Sequence, residues 1–433
     1  MKTLSCQYLH HAVYFAPDVL RHCCKRFFVD GKMKGDVEMF PVNSTKDISA
    51  EKILQAKKDL HAAINKGQET PCTGCPFLTR EEWADFDKLN IDHISIESHS
   101  VCNMKCSYCS DTYYGGLKPN YDLKELYEQL CSEGVVNSGN LSIAWGGGEP
   151  LLLDDFEDIF SLYMQGFSPK YTKIFSNATK FSEKVANYLK SGQLNITTSI
   201  DAGCSETFEA VRGFRAFERV FKNLKRYYDF AGRGVIIKYI FTDQNYELSE
   251  INGFFDKVIS HGLIHCDFQI SSDFKCEDLK TDQVASIFKL YLRLFNAGAS
   301  TVHLDDHLRP RLNRKVRQIL ESDDIYAKSN IDFLVEYVAP LDKPVILWGA
   351  GEYARSLTND SLFFENNEIS FLVDKSKEKQ GTKFIGYSVY SPNSVLDTED
   401  FIVIASSMYF NEIYDELIAM GVSKSRIINK LII

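Results

Sequence analysis

The chain has 433 residues, with 59 Asp and Glu against 49 Lys and Arg for a formal charge of −10, and 44% of it is apolar. At about 100–200 residues per domain, that length predicts two to four domains, each able to bury a core. Gly (25) and Pro (11) are too few for a low-complexity or collagen-like chain. No apolar run approaches the ~18 residues of a membrane span, and the acidic balance argues against a nucleic-acid backbone as the main partner.

The opening MKTLSCQYLHHAVYFAPDVL mixes His, Pro and Asp into its apolar stretch, so it does not read as a signal peptide and a cytoplasmic protein is expected. Thiols stay reduced there, so the 12 cysteines are not expected to form a disulfide framework. Five of them fall in residues 1–90, read as a small Cys-rich domain: Cys6, the pair Cys23 and Cys24, and Cys72 with Cys75 in PCTGC. A C-x-x-C is a two-ligand pinch for zinc or an iron–sulfur cluster, and Cys6 with Cys23 or Cys24 would complete four ligands. The amphipathic stretch 50–66 is expected to be a scaffold helix between the pairs. His10 and His11 offer alternative ligands, but they are expected on the first strand as ordinary polar residues.

From residue 91 onward strand-like runs recur at 93–98, 141–145, 171–176, 195–200, 234–241 and 265–270. Helical patterns separate them at 122–133, 154–166, 181–191, 215–231 and 247–261. This α/β alternation predicts an open parallel (β/α)6 partial TIM barrel over 91–276, with its site at the carboxyl ends of the strands. Two of those ends carry chemistry. After the first strand, VCNMKCSYC places Cys102, Cys106 and Cys109 on one loop. Three thiolates can hold three irons of a four-iron cluster and leave the fourth open; the competing reading is zinc, which wants a fourth Cys or His nearby. After the second strand, LSIAWGGGEPLLL supplies consecutive glycines, which either let backbone approach a ligand closely or make an ordinary turn. Cys131, Cys204, Cys266 and Cys276 stand singly in apolar segments and read as small buried hydrophobes.

The C-x-x-x-C-x-x-C after the first strand and the GGEP after the second resemble the signature pair of the radical S-adenosylmethionine (SAM) enzymes. Tyr108 stands where that family has an aromatic beside the last cysteine, against the adenine. Ser176 and Asn177 end the third strand as the family's polar end does, and NITTSIDAGCSETFEAVRG resembles its fourth-strand pattern. The resemblance implies a 4Fe–4S cluster on Cys102, Cys106 and Cys109 whose open iron chelates the methionine amine and carboxylate of SAM. It implies SAM contacts from Tyr108, Gly147, Gly148, Glu149, Pro150 and Asn177, and contacts to ribose and carboxylate from Ser199, Asp201 and Arg212. It also implies that one electron, from a reductant such as flavodoxin or ferredoxin, cleaves SAM to a 5′-deoxyadenosyl radical that takes a hydrogen from a substrate carbon. The N-terminal layout resembles the SPASM-type extension of these enzymes, although it precedes the barrel where SPASM domains ordinarily follow it. That resemblance implies one auxiliary 4Fe–4S cluster on Cys6, Cys23, Cys72 and Cys75, with Cys23 preferred as the residue aligned with the first cysteine of the family's usual pair. A structural zinc knuckle is the alternative.

Residues 277–340 read as a helical, charge-rich connector. His303 and His307 bracket Asp305 and Asp306 there, without the Glu of an H-E-x-x-H motif, and read as a solvated helix start. A Rossmann-like α/β domain is expected over 341–433, where KPVILWGAGEYARSL gives a strand, a glycine turn at Gly349 and Gly351, and a helix. The next strand ends in Asp374, placed to bond a ribose of NAD or a sugar nucleotide; a degenerate module that binds a partner or nothing fits equally. The domain resembles modules fused to carbohydrate-modifying enzymes. The substrate is therefore a peptide or protein, as for auxiliary-cluster relatives, or a sugar nucleotide or polysaccharide precursor. The competing function is a non-enzymatic iron–sulfur or zinc scaffold whose C-terminal domain senses a ligand.

Overall fold

The computed structural model describes residues 2–109, 116–275, 278–359, 361–406, 409–428 and 432, so Cys276 lies outside the described residues. The chain divides into two compact units, Met1–Asn245 with Ser249–Asp267 and Asp273–Glu277, and Tyr246–Leu248 with Phe268–Ser272 and Asp278–Ile433. The Cys-rich segment thus shares a unit with the barrel strands, and the expected connector groups with the C-terminal module.

The reason for the first grouping is strand pairing. The sheet of the first unit contains β1 (Ala12–Phe15), β2 (Val19–Arg21), β3 (Glu38–Pro41), β4 (His93–Ile96), β5 (Ser142–Trp145), β6 (Tyr171–Phe175), β7 (Asn195–Ser199) and β8 (Val235–Phe241). Strands β4 to β8 pair in chain order and in parallel. Strand β1 adds itself in parallel to the free side of β4, and β2 and β3 continue antiparallel beyond it. The expected strand at 265–270 is observed at Asp267–Ser272, with Phe268–Ser272 in the second unit.

Alternation explains which face of each strand is covered. Ile143, Trp145, Thr172 and Ile174 are buried, and Trp145 packs on Phe156, Phe160 and Tyr163 of the helix Phe156–Phe167. The opposite face carries Arg21, Tyr14, Ser95, Ala144, Lys173 and Asn195 in one continuous register. One face is therefore apolar and helix-covered, while the other is polar. The covering helices follow the same logic: Phe217–Ala231 buries Phe217, Val220, Phe221, Leu224 and Tyr227 at three- and four-residue steps. A separate helix, Ser205–Arg212, precedes it and stops where Gly213 turns left-handed at φ +66°. Among the described residues no helix is long and apolar enough to cross a membrane.

The expected strand position of His10 and His11 is corrected. Both lie in the short helix Gln7–His11, started by Cys6, whose sulfur accepts the Leu9 N–H at 3.4 Å. An N-cap acceptor here overrides the strand-like alternation of the sequence.

The second unit has a six-stranded sheet in the order Lys383–Phe384, Tyr387–Tyr390, Ile369–Val373, Val345–Trp348, Phe401–Ile404, Ile427–Ile428. All pairs are parallel except the edge hairpin 383–384 with 387–390. Val345, Leu347, Leu372 and Val403 join one apolar cluster, and Ile346, Trp348, Val373, Ile402 and Ile404 another, so both faces are buried, as parallel sheets require.

His93 on β4 tests this packing through pH. Its Nδ1 is 2.7 Å from Ser142 Oγ on β5, and burial lowers its pKa from 6.5 to about 4. Above the unfolded value both states are neutral; as pH falls toward 4, the unfolded chain takes up a proton that the folded one refuses, so stability is lost. Between about pH 7 and pH 5, the wild type should lose more unfolding free energy than His93→Gln in urea titrations. Parallel pH dependences for the two proteins would contradict the packing.

Candidate functional site

Two backbones meet at the carboxyl ends of β4 and β5. Gly146 N–H donates to Ile96 O at 2.9 Å, Gly148 N–H to His99 O at 2.7 Å, and Glu149 N–H to Val101 O at 2.8 Å. The glycines are dictated by this contact. A β-carbon on Gly147, whose φ is +87°, would lie 2.5 Å from His99 O, and one on Gly148 would lie 2.2 Å from Val101 O. The GGE segment is thus a backbone rail for the chain that runs into Cys102. Pro150 then opens a short turn, Pro150–Leu152.

Glu149 is buried and tied to the end of β6. One carboxylate oxygen accepts Ser176 Oγ at 2.8 Å and Leu151 N–H at 3.2 Å, and the other accepts Asn177 N–H at 2.5 Å. Burial pushes its carboxyl upward, and these three donors oppose the shift. Asn177 in turn donates to Asn103 Oδ1 at 2.8 Å and to Cys102 Sγ at 3.8 Å. Asn103 donates to Thr179 Oγ1 at 3.1 Å.

The far side of the cysteine loop is held by a buried triad. Tyr108 donates to Asp201 Oδ2 at 2.5 Å, Arg212 Nη1 reaches the same oxygen at 3.0 Å, and Arg212 also bonds the Tyr108 hydroxyl. Asp201 Oδ1 accepts Ile240 N–H at 2.7 Å, and burial pushes the Asp201 carboxyl upward against these partners. Asp201 takes a left-handed φ of +61°, held by Asn245, whose amide donates to Asp201 O and Ile240 O, each at 2.8 Å. Lys105 N–H bonds Arg212 O at 3.0 Å and Ser107 N–H bonds Val211 O at 2.9 Å, which strap the loop to the helix Ser205–Arg212. Asp201 therefore spends both oxygens inside the protein. Arg212 keeps one buried donor, Nε, without a partner. Ser199 ends β7 half-buried, opposite Lys238 in register. Asn103, Thr179 and Asn245 were not singled out from sequence; the signal was a polar residue just beyond an apolar strand.

Cys102 is exposed, and Cys106 and Cys109 are half-buried across a turn closed by Cys109 N–H to Cys106 O at 3.0 Å. Burial, then the neighbouring Cys106 and Cys102, pushes the Cys109 thiol up to about 11. Clustered cysteine thiolates are donors suited to a soft metal centre. Three such donors, a glycine rail without β-carbons and an orphaned guanidinium N–H fit a three-cysteine cluster with a carboxylate-bearing ligand beside it. Among the described residues no three His, Cys, Asp or Glu side chains converge on one ion; a cubane takes each thiolate on its own iron.

Cys6, Cys23, Cys72 and Cys75 come together in one apolar cluster with Leu9, Val37 and Ile64. Cys24 is directed elsewhere, beside Tyr14 and Glu97. Burial raises the thiols of the group, Cys6 to about 11 and Cys75 to about 12. His10 is committed to Ser5 Oγ at 2.9 Å and stacks on Trp83 and Phe86. Of the single cysteines, Cys266 is buried as expected; Cys131 is exposed, and Cys204 lies half-buried near Thr207 and Glu250.

In the second unit, Asp374 accepts Ala350 N–H at 2.9 Å and Lys379 Nζ at 3.2 Å on one oxygen, and Ser376 N–H at 2.9 Å on the other. The acid expected at a ribose instead fastens the turn between Gly349 and Gly351. Near the start of the helix Leu308–Glu321, Asp305 accepts His307 N–H at 2.9 Å and Gln269 Nε2 at 2.7 Å, so it is a buried capping residue.

Residues 96–251 match the family described as the Radical SAM superfamily, and residues 341–428 match the one described as C2185-like, N-terminal. Residues 96–251 thus carry a radical SAM domain, and the family it matches uses a 4Fe–4S cluster and S-adenosylmethionine. Among curated relatives, the GTP 3′,8-cyclase of Pasteurella multocida is 28% identical over 140 residues, 32% of this chain and 41% of that one. The GTP 3′,8-cyclase of Vibrio parahaemolyticus is 26% identical over 139 residues, 32% of this chain and 42% of that one. The match thus spans less than half of each relative. Among solved structures, native anSMEcpe with bound AdoMet aligns with a TM-score of 0.39 at 20% identity, over 49% of this chain and 63% of that one. Streptococcus suis SuiB bound to S-adenosylmethionine aligns with a TM-score of 0.38 at 17% identity, over 60% and 57%.

Gly148→Ala forces its β-carbon against Val101 O and should cost about 1–3 kcal/mol of stability. It should also abolish SAM binding by the reconstituted protein in calorimetry. Gly351→Ala meets nothing within 4 Å and should stay within about 0.5 kcal/mol of wild type. Equal behaviour of the two variants would contradict the rail.

Proposed function

We propose that the chain cleaves SAM reductively and uses the radical chemistry to modify a carbon of an anionic substrate, a sugar nucleotide or related precursor. The observation that carries this reading is the double fixing of the cysteine loop, by the GGE rail on one side and by Tyr108, Asp201 and Arg212 on the other. When bound, the cluster and SAM supply one-electron carbon–sulfur cleavage and hydrogen abstraction. Cys102, Cys106 and Cys109 would hold the cluster, with Asn177 orienting Cys102 through its amide. Gly147 and Gly148 leave space and free backbone beside it, and Glu149 holds Ser176 and Asn177 in place without needing to touch the ligand. Arg212 Nε is the donor left for a carboxylate. Such fixed donors keep reacting groups in register and exclude water.

The substrate class follows from the polar sheet face. Lys173 on β6 and Lys238 on β8 lie on it, in register with Asn195 and Ser199 of β7. Two cations among hydroxyl and amide side chains suit phosphate better than a neutral peptide backbone. The curated relatives are named for action on GTP, itself a nucleotide. Because Asp374 is held by Ala350 and Lys379, the reading assigns the nucleotide to the barrel face rather than to the C-terminal module. Cys6, Cys23, Cys72 and Cys75 would hold an auxiliary cluster, which would supply a one-electron acceptor for the product radical, and a flavodoxin or ferredoxin would serve as cytoplasmic reductant.

Anaerobically reconstituted protein mixed with SAM and dithionite should release 5′-deoxyadenosine, and Cys106→Ala should release none. Sugar nucleotides should raise the yield and acquire a mass change, while peptides should do neither. Absence of 5′-deoxyadenosine from the wild type would favour a non-catalytic scaffold and end the enzyme reading.

A further inference from the structure

Lys57 sits in the middle of the helix Ala50–Asn65 and is 0% exposed. Its Nζ donates to Leu9 O at 2.8 Å and to Ala12 O at 2.7 Å, at the end of the short helix that Cys6 begins. Those carbonyls satisfy hydrogen bonds and offer a fraction of a negative charge. Among the described residues Lys57 has no carboxylate at ion-pair distance. A whole ammonium enclosed in protein needs more than that, because a buried charge left unpaired is strongly unfavourable. Burial, the largest influence, lowers its pKa to about 7, and the acidic groups that oppose this are, in order, Cys6, Cys23 and Asp92. The four thiols are set among Leu9, Val37 and Ile64. Four thiolates around the doubly positive core of an oxidised cubane carry two net negative charges. In apolar surroundings such a dianion needs a fixed cation as much as Lys57 needs an anion.

We propose that Lys57 is the built-in counter-charge of a four-thiolate metal centre formed by Cys6, Cys23, Cys72 and Cys75. The proposal rests on the auxiliary-centre reading and adds to it a positioning residue outside the ligand set. It makes the cysteine group and the scaffold helix one electrostatic unit: the cation disfavours the empty site and favours the filled one. Another lysine that acts on Cys23, Lys25, is half-buried over the Tyr8 and Phe77 rings at 5.1 and 4.9 Å, where solvent weakens its effect.

The test uses the full chain carrying Cys102→Ala, Cys106→Ala and Cys109→Ala, reconstituted with iron and sulfide. Lys57→Gln keeps an N–H donor for the two carbonyls and removes the charge. It should lose at least half of the rise in melting temperature that metal loading gives. It should also shift the cluster's midpoint potential negative by a tenfold change in equilibrium, 59 mV for one electron. Lys57→Arg should restore both, and Lys25→Gln should shift the potential less. A helix-capping lysine would instead lower the melting temperature equally with and without metal and leave the potential alone, which overturns the proposal. So does failure of both Lys57→Gln and Lys57→Met to fold without metal, since the carbonyl bonds would then be the lysine's purpose. No bound metal in the triple variant with Lys57 intact would end the four-thiolate centre itself, an outcome distinct from an unchanged potential.

Discussion

Between Val101 and Gly148 there is no room for a β-carbon, and most of the site depends on that fact. The GGE backbone lies directly on the chain that leads to Cys102, so the second strand's loop fixes the first strand's loop through peptide groups alone. Backbone hydrogen bonds of this kind tolerate no side chain between them, which is why glycine is required at both positions. Glu149 extends the same constraint to the end of β6, and Asn177 brings it back to Cys102. Three consecutive strand ends are thereby locked around one loop.

The opposite edge of the loop is fixed electrostatically. Asp201, Arg212 and Tyr108 are buried together, and a buried pair of this kind holds only while every partner is present. Asn245 sets Asp201 in a left-handed conformation that a non-glycine residue rarely adopts without such support. The helix Ser205–Arg212 has its purpose here: it ends in the residue that completes the triad and, through Val211 and Arg212, straps the loop from below. The N-terminal cysteines form a second, separate gathering in the same unit, because β1 belongs to the barrel's sheet and carries Cys6 and Cys23 with it.

Much of this was legible in the sequence. Long alternating runs gave β4 to β8 to within a residue or two, since both the apolar face and the turn residues agreed. The cysteine spacing and the glycine run marked the two loops that meet. What the sequence hid was settled by tertiary contact. Asp201 and Arg212 looked like ligand contacts, yet their charges are mostly used on each other and on Tyr108. Asp374 matched a ribose-binding acid by spacing, but Ala350 and Lys379 reach it first. His10 and His11 alternate as a strand would, and a sulfur N-cap turns them into a helix. The strand pairing across residue 90, Ala12 with His93, has no local signature. The short helix Ser205–Arg212 was not among the expected helices, because its eight residues sit inside the stretch read as the end of the fourth strand.

The central claim is that the cysteine loop and the glycine rail together present one open iron to the methionine end of SAM. Electron–nuclear double resonance on the reduced, reconstituted protein with SAM carrying a 15N-labelled amino group measures this contact. The account predicts a 15N hyperfine coupling to the cluster in the wild type. A wild-type cluster that forms, binds SAM and shows no such coupling would contradict it.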